Sequence, residues 1–320
     1  MTSTTAPRIA PSDLNRLMTL LEIEVVGLSE CLVSSGFSLN LDGHESPGVH
    51  YVLAGCGKMY PRNAPTINVQ PHTLIIVPPE CDFRLEAPAN EDAGGAPKIV
   101  NGRLKTTTID SIRRFSAGDS EPAIIMICGY FNALYGSSMD IFKTLSSPIV
   151  EYFDARDQLD VKLKSALEEL VAQEIGAGAI SSALLKQVIV ALVRRSLSSV
   201  NLWAERFSML SDPQIARAFT KMVANPGAAH SVESLAESAF LSRSAFMARF
   251  TSTVGRSPML VLRDLRMQQA ASQLATSGLT VDQVAENAGY ASRSSFARAF
   301  RSAYGTDPSD YRNSGGHRSA

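Results

Sequence analysis

The chain is poor in cysteine and histidine, with four and five in 320 residues. Cys31, Cys56, Cys81 and Cys128 lie far apart and form no CxxC pair, which argues against a zinc ribbon or a dithiol motif. Each falls in or near a strand-like segment, so buried free thiols are expected. No HxH pair occurs, and His44, His50 and His72 are scattered. That leaves no recognisable ligand set for a metal, and the expectation is neither metal, cofactor nor enzyme activity. Long apolar runs are also missing. The longest, such as Ile124–Cys128, are strand-sized and exclude a membrane span. Met1–Pro11 holds one Arg and no apolar stretch, so no secretory signal is read there and a cytoplasmic location is expected.

Hydrophobic residues make up 45% of the chain, enough for real cores, and 320 residues suit two domains. The net charge of −1 is unevenly spread. From Asp212 onward there are 12 Lys and Arg against 8 Asp and Glu, whereas the rest carries 18 against 23. A basic module therefore follows an acidic one. Eleven of its twelve cations are Arg, the side chain whose fork suits phosphate and guanine.

Asp13–Leu21 reads as a short helix. From Gly27 to Phe131 the texture is β, with short apolar, β-branched segments at Phe37–Leu41, Val49–Leu53, Thr73–Val77 and Ile124–Tyr130. Pro78-Pro79 stops one of them. Such spacing points to an antiparallel barrel. The pattern breaks between Leu85 and Glu121, where Ala87–Pro97 reads as a loop leading into a basic stretch, Lys98–Phe115. Beyond Arg156 the period becomes helical. One amphipathic helix runs through Leu159, Leu163, Ala166, Leu167 and Leu170, and a second through Leu184, Val188 and Leu192. Gly176-Ala-Gly178 is the expected turn between them. Trp203 precedes a boundary at Ser208–Pro213.

The last third repeats itself. Ser231-Val-Glu-Ser-Leu-Ala-Glu-Ser-Ala239, Ser242-Arg-Ser-Ala-Phe246, Phe250, Gly255 and Pro258 recur as Thr280-Val-Asp-Gln-Val-Ala-Glu-Asn-Ala288, Ser292-Arg-Ser-Ser-Phe296, Phe300, Gly305 and Pro308. The offset grows from 49 to 50 residues across the turn. Each copy has the parts of a helix-turn-helix. Ser231 and Thr280 are helix N-caps, and Gln283, unlike Ser234, completes a capping box. Ala236 and Ala285 are small enough for a close crossing. Ser242 and Ser292 cap the second helices, which paired phenylalanines anchor inward. Pro258 opens a connecting helix to Thr276, with Gly278 ending it. The exposed face of the last reading helix carries Arg293, Ser294, Ala297, Arg298 and Arg301, the expected contacts to base edges and phosphates of double-stranded DNA. The first unit offers Arg243, Ser244, Met247, Ala248 and Arg249. That face is less polar and suits contact with a thymine methyl group.

The run Ala285-Glu-Asn-Ala-Gly-Tyr-Ala-Ser-Arg-Ser-Ser-Phe-Ala-Arg-Ala-Phe-Arg-Ser-Ala-Tyr-Gly-Thr-Asp-Pro-Ser-Asp-Tyr-Arg312 closely resembles the signature of the AraC/XylS family of transcription regulators, over residues ~212–313. The resemblance implies promoter binding at asymmetric sites and contact with RNA polymerase. It puts base contact at Arg293, Ser294, Ala297 and Arg298, and at Arg243, Ser244 and Met247. His50-Tyr-Val-Leu-Ala-Gly and Thr73-Leu-Ile-Ile-Val-Pro-Pro are similar to that family's cupin-like sensor. The expected architecture is α+β: a cupin-like β-barrel at 1–155, a helical linker or dimerisation pair at 156–211, and an all-α double helix-turn-helix domain at 212–320.

The basic stretch is the expected effector site. Arg103, Lys105, Arg113, Arg114 and Phe115, with Asp110 the one acid among them, suit an anionic ligand. The pattern loosely resembles the Arg-rich stretch of PilZ-type receptors, and some AraC-type regulators respond to cyclic di-GMP. A small-molecule effector of that class, acting on a homodimer, is the leading expectation. The alternatives are a sugar or aromatic effector in the barrel, a constitutive DNA-binding protein, and a cupin enzyme.

Overall fold

A computed structural model describes residues 11–88, 96–109, 112–135, 139–198 and 212–313. Asp110, Trp203 and Ser208–Ser211 fall outside them. The chain divides into two compact units, Glu22–Ala133 with Phe142–Arg206, and Met1–Leu21 with Leu134–Ile141 and Phe207–Ala320.

The first unit is built on two sheets. Its strands are β1 (Glu22–Ser34), β2 (Phe37–Leu41), β3 (Gly48–Ala54), β4 (Gly57–Pro61), β5 (Ile67–Val69), β6 (Thr73–Val77), β7 (Phe83–Glu86), β8 (Lys98–Asn101), β9 (Thr106–Ile109), β10 (Ile112–Ala117), β11 (Pro122–Tyr135) and β13 (Ile149–Tyr152). A short β12 (Met139–Asp140) pairs with the end of β11. One sheet runs β13-β6-β3-β11-β1-β10-β9 and the other β5-β4-β7-β2-β8. The barrel is thus open, with its core between two sheets. Leu39, Met59 and Leu85 of one face meet Cys31, Val52, Ile75 and Met126 of the other, all with no exposed surface. All of β6 is buried, which is why Thr73–Val77 reads as an apolar run rather than an alternation.

Two strand pairs depart from the antiparallel expectation. β1 pairs with β10 and β2 with β8 in parallel. The basic stretch Lys98–Phe115 is accordingly not a break in the sheet but β8, a 3₁₀ turn at Gly102–Lys105, β9 and β10. Cys31, Cys81 and Cys128 are buried thiols, whereas Cys56 is exposed beside Gly55, in the turn after β3.

Helices α2 (Leu159–Ala172) and α3 (Ala177–Ser198) pack on each other and on β1. The turn between them is shorter than the glycines suggest. Gly176 takes φ +90, but Gly178 is already inside α3. The Ser181 hydroxyl, buried between the helices, donates to the Ala166 carbonyl at 2.9 Å. Ala177–Arg195 is long and apolar enough to cross a membrane by composition, with mean hydropathy 1.5. Its Leu185, Val188, Ile189 and Leu192 are nevertheless buried within this unit.

In the second unit, α4 (Pro213–Ala224) precedes the first helix-turn-helix, α5 (Val232–Ser238) and α6 (Arg243–Val254). The connecting helix α7 (Pro258–Thr276) leads to the second, α8 (Val281–Asn287) and α9 (Arg293–Tyr304), and α10 (Pro308–Asn313) closes it. The N-terminal α1 (Pro11–Leu20) packs on α4. Tyr135 joins them, donating to the Leu17 carbonyl at 2.8 Å while its ring meets Phe219 edge-on at 5.4 Å. Helix α7 ends at Ser277, which takes the C-cap position with extended backbone, so Gly278 is not the stop.

Candidate nucleic-acid interface

Local chemistry sets each reading helix. The Ser231 hydroxyl accepts from the Ser234 amide at 3.1 Å, and the Ser234 hydroxyl accepts from the Ser231 amide at 3.0 Å. The first unit therefore has a capping box after all, because a serine hydroxyl reaches the cap as well as Gln283 Oε1 does at 2.8 Å from the Thr280 amide. Helices α6 and α9 are held from beneath by Phe246/Phe250 and Phe296/Phe300, ring pairs 5.5 and 5.6 Å apart with no exposed surface. Gly255 and Gly305, both at φ +75, end the two helices. The turns differ. The second uses Gly289 at φ +76, whereas the first places Phe240 in the left-handed region at φ 55. Phe240 is also solvent-exposed, beneath the Arg217 guanidinium at 4.9 Å.

On α9, Arg293, Ser294 and Arg298 are exposed and Ala297 is half-buried. On α6, Arg243, Ser244 and Ala248 are exposed and Met247 is half-buried. The arginines are not equivalent. Arg249 is tied to Asp212, the N-cap of α4, and donates to Gln214 Oε1 at 2.7 Å. Arg301 pairs with Asp307 at 2.5 Å. Arg293 reaches Asp282 at 3.3 Å and Arg243 reaches Glu233 at 3.1 Å. For Arg298, no ion pair is found among the described residues.

The joint between the two reading units has no obvious sequence signal. A Cβ on Gly227 would lie 1.8 Å from the Asn287 carbonyl oxygen, and one on Gly289 would lie 2.6 Å from the Gly227 oxygen. Arg266, on α7, donates to the carbonyls of Pro226 and Ala228, each at 2.9 Å. The loop before α5 thus lies in close backbone contact with the end of α8 and the second turn, and the Arg266 side chain ties it to the connecting helix.

The expected effector residues separate in the structure. Side chains alternate along β10. Arg114 lies opposite Glu30 on β1 and pairs with it at 2.6 Å. Arg113 and Phe115 line a groove of about 600 Å³ together with Thr108, His44, Tyr130 and residues of α2. Arg103, ion-paired with Asp42, lines a neighbouring cavity of about 180 Å³ with Phe115, Tyr130, Cys128 and His50. Asp110 lies outside the described residues, as does the side chain of Lys105. His44 stacks on Tyr130 at 4.4 Å, and His72 meets the Tyr51 hydroxyl at 2.8 Å. His50 is buried, and neither ring nitrogen has a hydrogen-bond partner among the described residues. Among the described residues, no cluster of His, Cys, Asp and Glu is fit to hold a metal ion.

Two helix-turn-helix units, each with a capped and anchored second helix, stand on one helical unit, and the comparisons with known proteins find the same motif there. A family model described as Helix-turn-helix domain matches residues 235–314, and one described as Cupin matches residues 14–198. The chain belongs to the cupin family, whose model covers more than half of it, and its C-terminal part is similar to AraC-like transcription regulators. It is 36% identical over 137 residues to the RCS-specific HTH-type transcriptional activator RclR of Escherichia coli, covering 43% of this chain and 48% of that one. It is 39% identical over 103 residues to a putative AraC-like transcription regulator of Streptomyces lividans, covering 32% and 34%. The chain thus spans less than half the length of either relative. Among solved structures, the DNA-binding domain of AdpA in complex with a target DNA is 34% identical, with TM-score 0.31, over 32% of this chain and 92% of that one.

Proposed function

We propose that this chain is a ligand-responsive activator that reads an asymmetric promoter with both helix-turn-helix units. The observation that carries the reading is the repetition of a capped, phenylalanine-anchored helix whose outer face begins with Arg. Arg293, Ser294, Ala297 and Arg298 meet base edges in one half-site, and Arg243, Ser244 and Met247 in the other. Arg249 and Arg301, held by acids of their own unit, serve phosphate contacts. The protein acts in the cytoplasm as a homodimer through α2 and α3 and contacts RNA polymerase at the promoter. Arg298, exposed and without an ion pair among the described residues, is the cleanest probe. Arg298→Ala is expected to weaken binding to the selected promoter by about 1–3 kcal/mol. A gel-shift titration that shows wild-type affinity would remove α9 from the base-reading role.

The effector site in this reading is the groove lined by Arg113 and Phe115. One guanidinium, a half-buried aromatic ring and the stacked His44–Tyr130 pair suit a planar anion, with cyclic di-GMP the leading candidate. Cyclic di-GMP is then expected to raise the melting temperature of the wild type by mass action, and Arg113→Ala to abolish the rise. A rise with sugars or aromatic acids alone would move the effector class to the alternatives.

A second reading rests on a different observation. Cys31 and Cys128 are buried free thiols on the neighbouring strands β1 and β11, and Cys128 lines the smaller cavity. A peroxide entering there would take two electrons and two protons from the pair, leaving a disulfide and two waters. Burial pushes the Cys128 thiol well up, which slows that attack and places this reading second. Promoter titrations with and without hydrogen peroxide, alongside thiol counting by mass spectrometry, separate the two inputs.

A further inference from the structure

In both reading units, the Arg that opens the recognition helix is held by an acid at the same place on the preceding helix. Glu233 and Asp282 are each the second residue of their helices, α5 and α8. Arg243 and Arg293 are each the first residue of theirs, α6 and α9. The pairs close at 3.1 and 3.3 Å. The second turn is one residue longer than the first and takes a different path, through Gly289 rather than Phe240. The ion pair is nevertheless kept, so it is not a by-product of one turn geometry.

An exposed ion pair does little for a fold, and all four side chains are more than half exposed. The location matters more. The start of a recognition helix is where side chains meet base edges, and a carboxylate beside it repels every phosphate. Each carboxylate also sits in the first turn of its helix, where backbone N–H groups and the positive end of the helix favour the anion. The backbone amide and the Ser231 hydroxyl, with Arg243 adding to them, hold Glu233 below its ordinary range. Each acid engages its Arg through one terminal nitrogen, Nη1. Four of the five N–H groups of the guanidinium remain for a guanine edge.

We infer that Glu233 and Asp282 are positioning residues that fix Arg243 and Arg293 for base recognition and withhold them from non-specific phosphate contact. Each acid cancels one unit of charge at the DNA surface, so DNA without the right base gains little from the Arg. A guanine in register satisfies the guanidinium in the place where the acid already holds it.

The inference rests on the reading of Arg293 as a DNA contact, so the experiment tests the two separately. A duplex enriched by the wild-type full-length chain from a randomised library serves as specific probe, and a scrambled duplex of the same composition as non-specific probe. Asp282→Asn is expected to tighten the scrambled duplex by roughly threefold to tenfold and to steepen its salt dependence by up to about one counterion. The ratio of specific to non-specific affinity falls by a similar factor, at an unchanged melting temperature. Asp282→Glu restores the ratio. Glu233→Gln behaves like Asp282→Asn, and the two effects add. In an Arg293→Ala background, Asp282→Asn no longer changes the ratio. If Arg293→Ala weakens the specific duplex while Asp282→Asn leaves ratio and salt slope untouched, the positioning role is overturned and the contact stands. If Arg293→Ala has no effect, both fall.

Discussion

Gly227→Ala should destabilise the DNA-binding unit by about 2–4 kcal/mol and cost promoter affinity at least tenfold. The added methyl would sit 1.8 Å from the Asn287 oxygen and 2.9 Å from its carbon. Neither is the movable end of a side chain, so the loop before α5 and the end of α8 have to separate. Overpacking of this kind typically costs 1–3 kcal/mol, and here it also strains the two Arg266 bonds to Pro226 and Ala228. Gly289→Ala meets the same seam from the other side, 2.6 Å from the Gly227 oxygen, and adds the penalty of φ +76. The affinity falls because the seam sets the separation of the two recognition helices, which has to match the groove spacing of B-DNA, about 34 Å per turn. Gly278→Ala is the control. Nothing lies within 4 Å of its Cβ and its φ is not left-handed, so it is expected to be neutral or stabilising by up to about 1 kcal/mol. Urea melts with a constant slope check the stability difference, and gel shifts check the affinity. Equal midpoints for Gly227→Ala and Gly278→Ala would show that the seam is not a constraint.

The reading units were legible because their instructions are local. Ser231, Thr280, Ser242 and Ser292 cap within three residues of themselves, and the phenylalanine pairs lie one turn apart on a single helix. Ser234 was misread only because a serine is a less familiar capping-box partner than Gln283. What the sequence hides is set by residues far away. Gly227 follows Asn225-Pro226 and resembles any turn glycine. Its requirement comes from Asn287, which approaches only after the whole connecting helix has folded. The parallel pairs β1–β10 and β2–β8 are hidden for the same reason, since each joins distant segments. They explain why Lys98–Phe115, rich in charge and threonine, reads as a break in the strand pattern yet forms strands. Arg114 finds Glu30 across β1, and that partner is invisible to a window centred on β10. Of the effector residues, Arg113 and Phe115 share a face, as strand alternation requires, and Arg114 takes the other. An Arg-rich count cannot distinguish them without the strand assignment.

Acid should weaken the cupin unit through His50. Its imidazole lies on β3, directly opposite Cys128 of β11, and meets Phe83 edge-on at 4.6 Å. Gly48 leaves it room, since a Cβ there would come within 2.7 Å of Nε2. Both ring nitrogens are shut off from solvent and have no hydrogen-bond partner among the described residues, so no described group compensates a charge on the ring. Burial pulls its pKa down to about 3, against 6.5 in an unfolded chain. The unfolded chain therefore binds the extra proton, and the stability His50 permits is complete above about pH 6.5. It is lost as pH falls through 6.5 toward 3 and changes no further below that. Over the whole window the loss is on the order of 5 kcal/mol, with a slope approaching 1.4 kcal/mol per pH unit. That is a large share of the 5–15 kcal/mol that holds a typical domain together. His50→Met keeps a similar volume and removes the two unpartnered nitrogens, so it should be at least as stable as the wild type at pH 7.5. Carboxylates elsewhere weaken both proteins alike in acid, so the difference between them isolates the imidazole. Urea melts from pH 7.5 down to pH 4, followed by a signal from the cupin unit, should show a gap in favour of His50→Met that widens steadily below pH 6. Parallel curves would mean that the ring takes up its proton in the folded protein as readily as in the unfolded one.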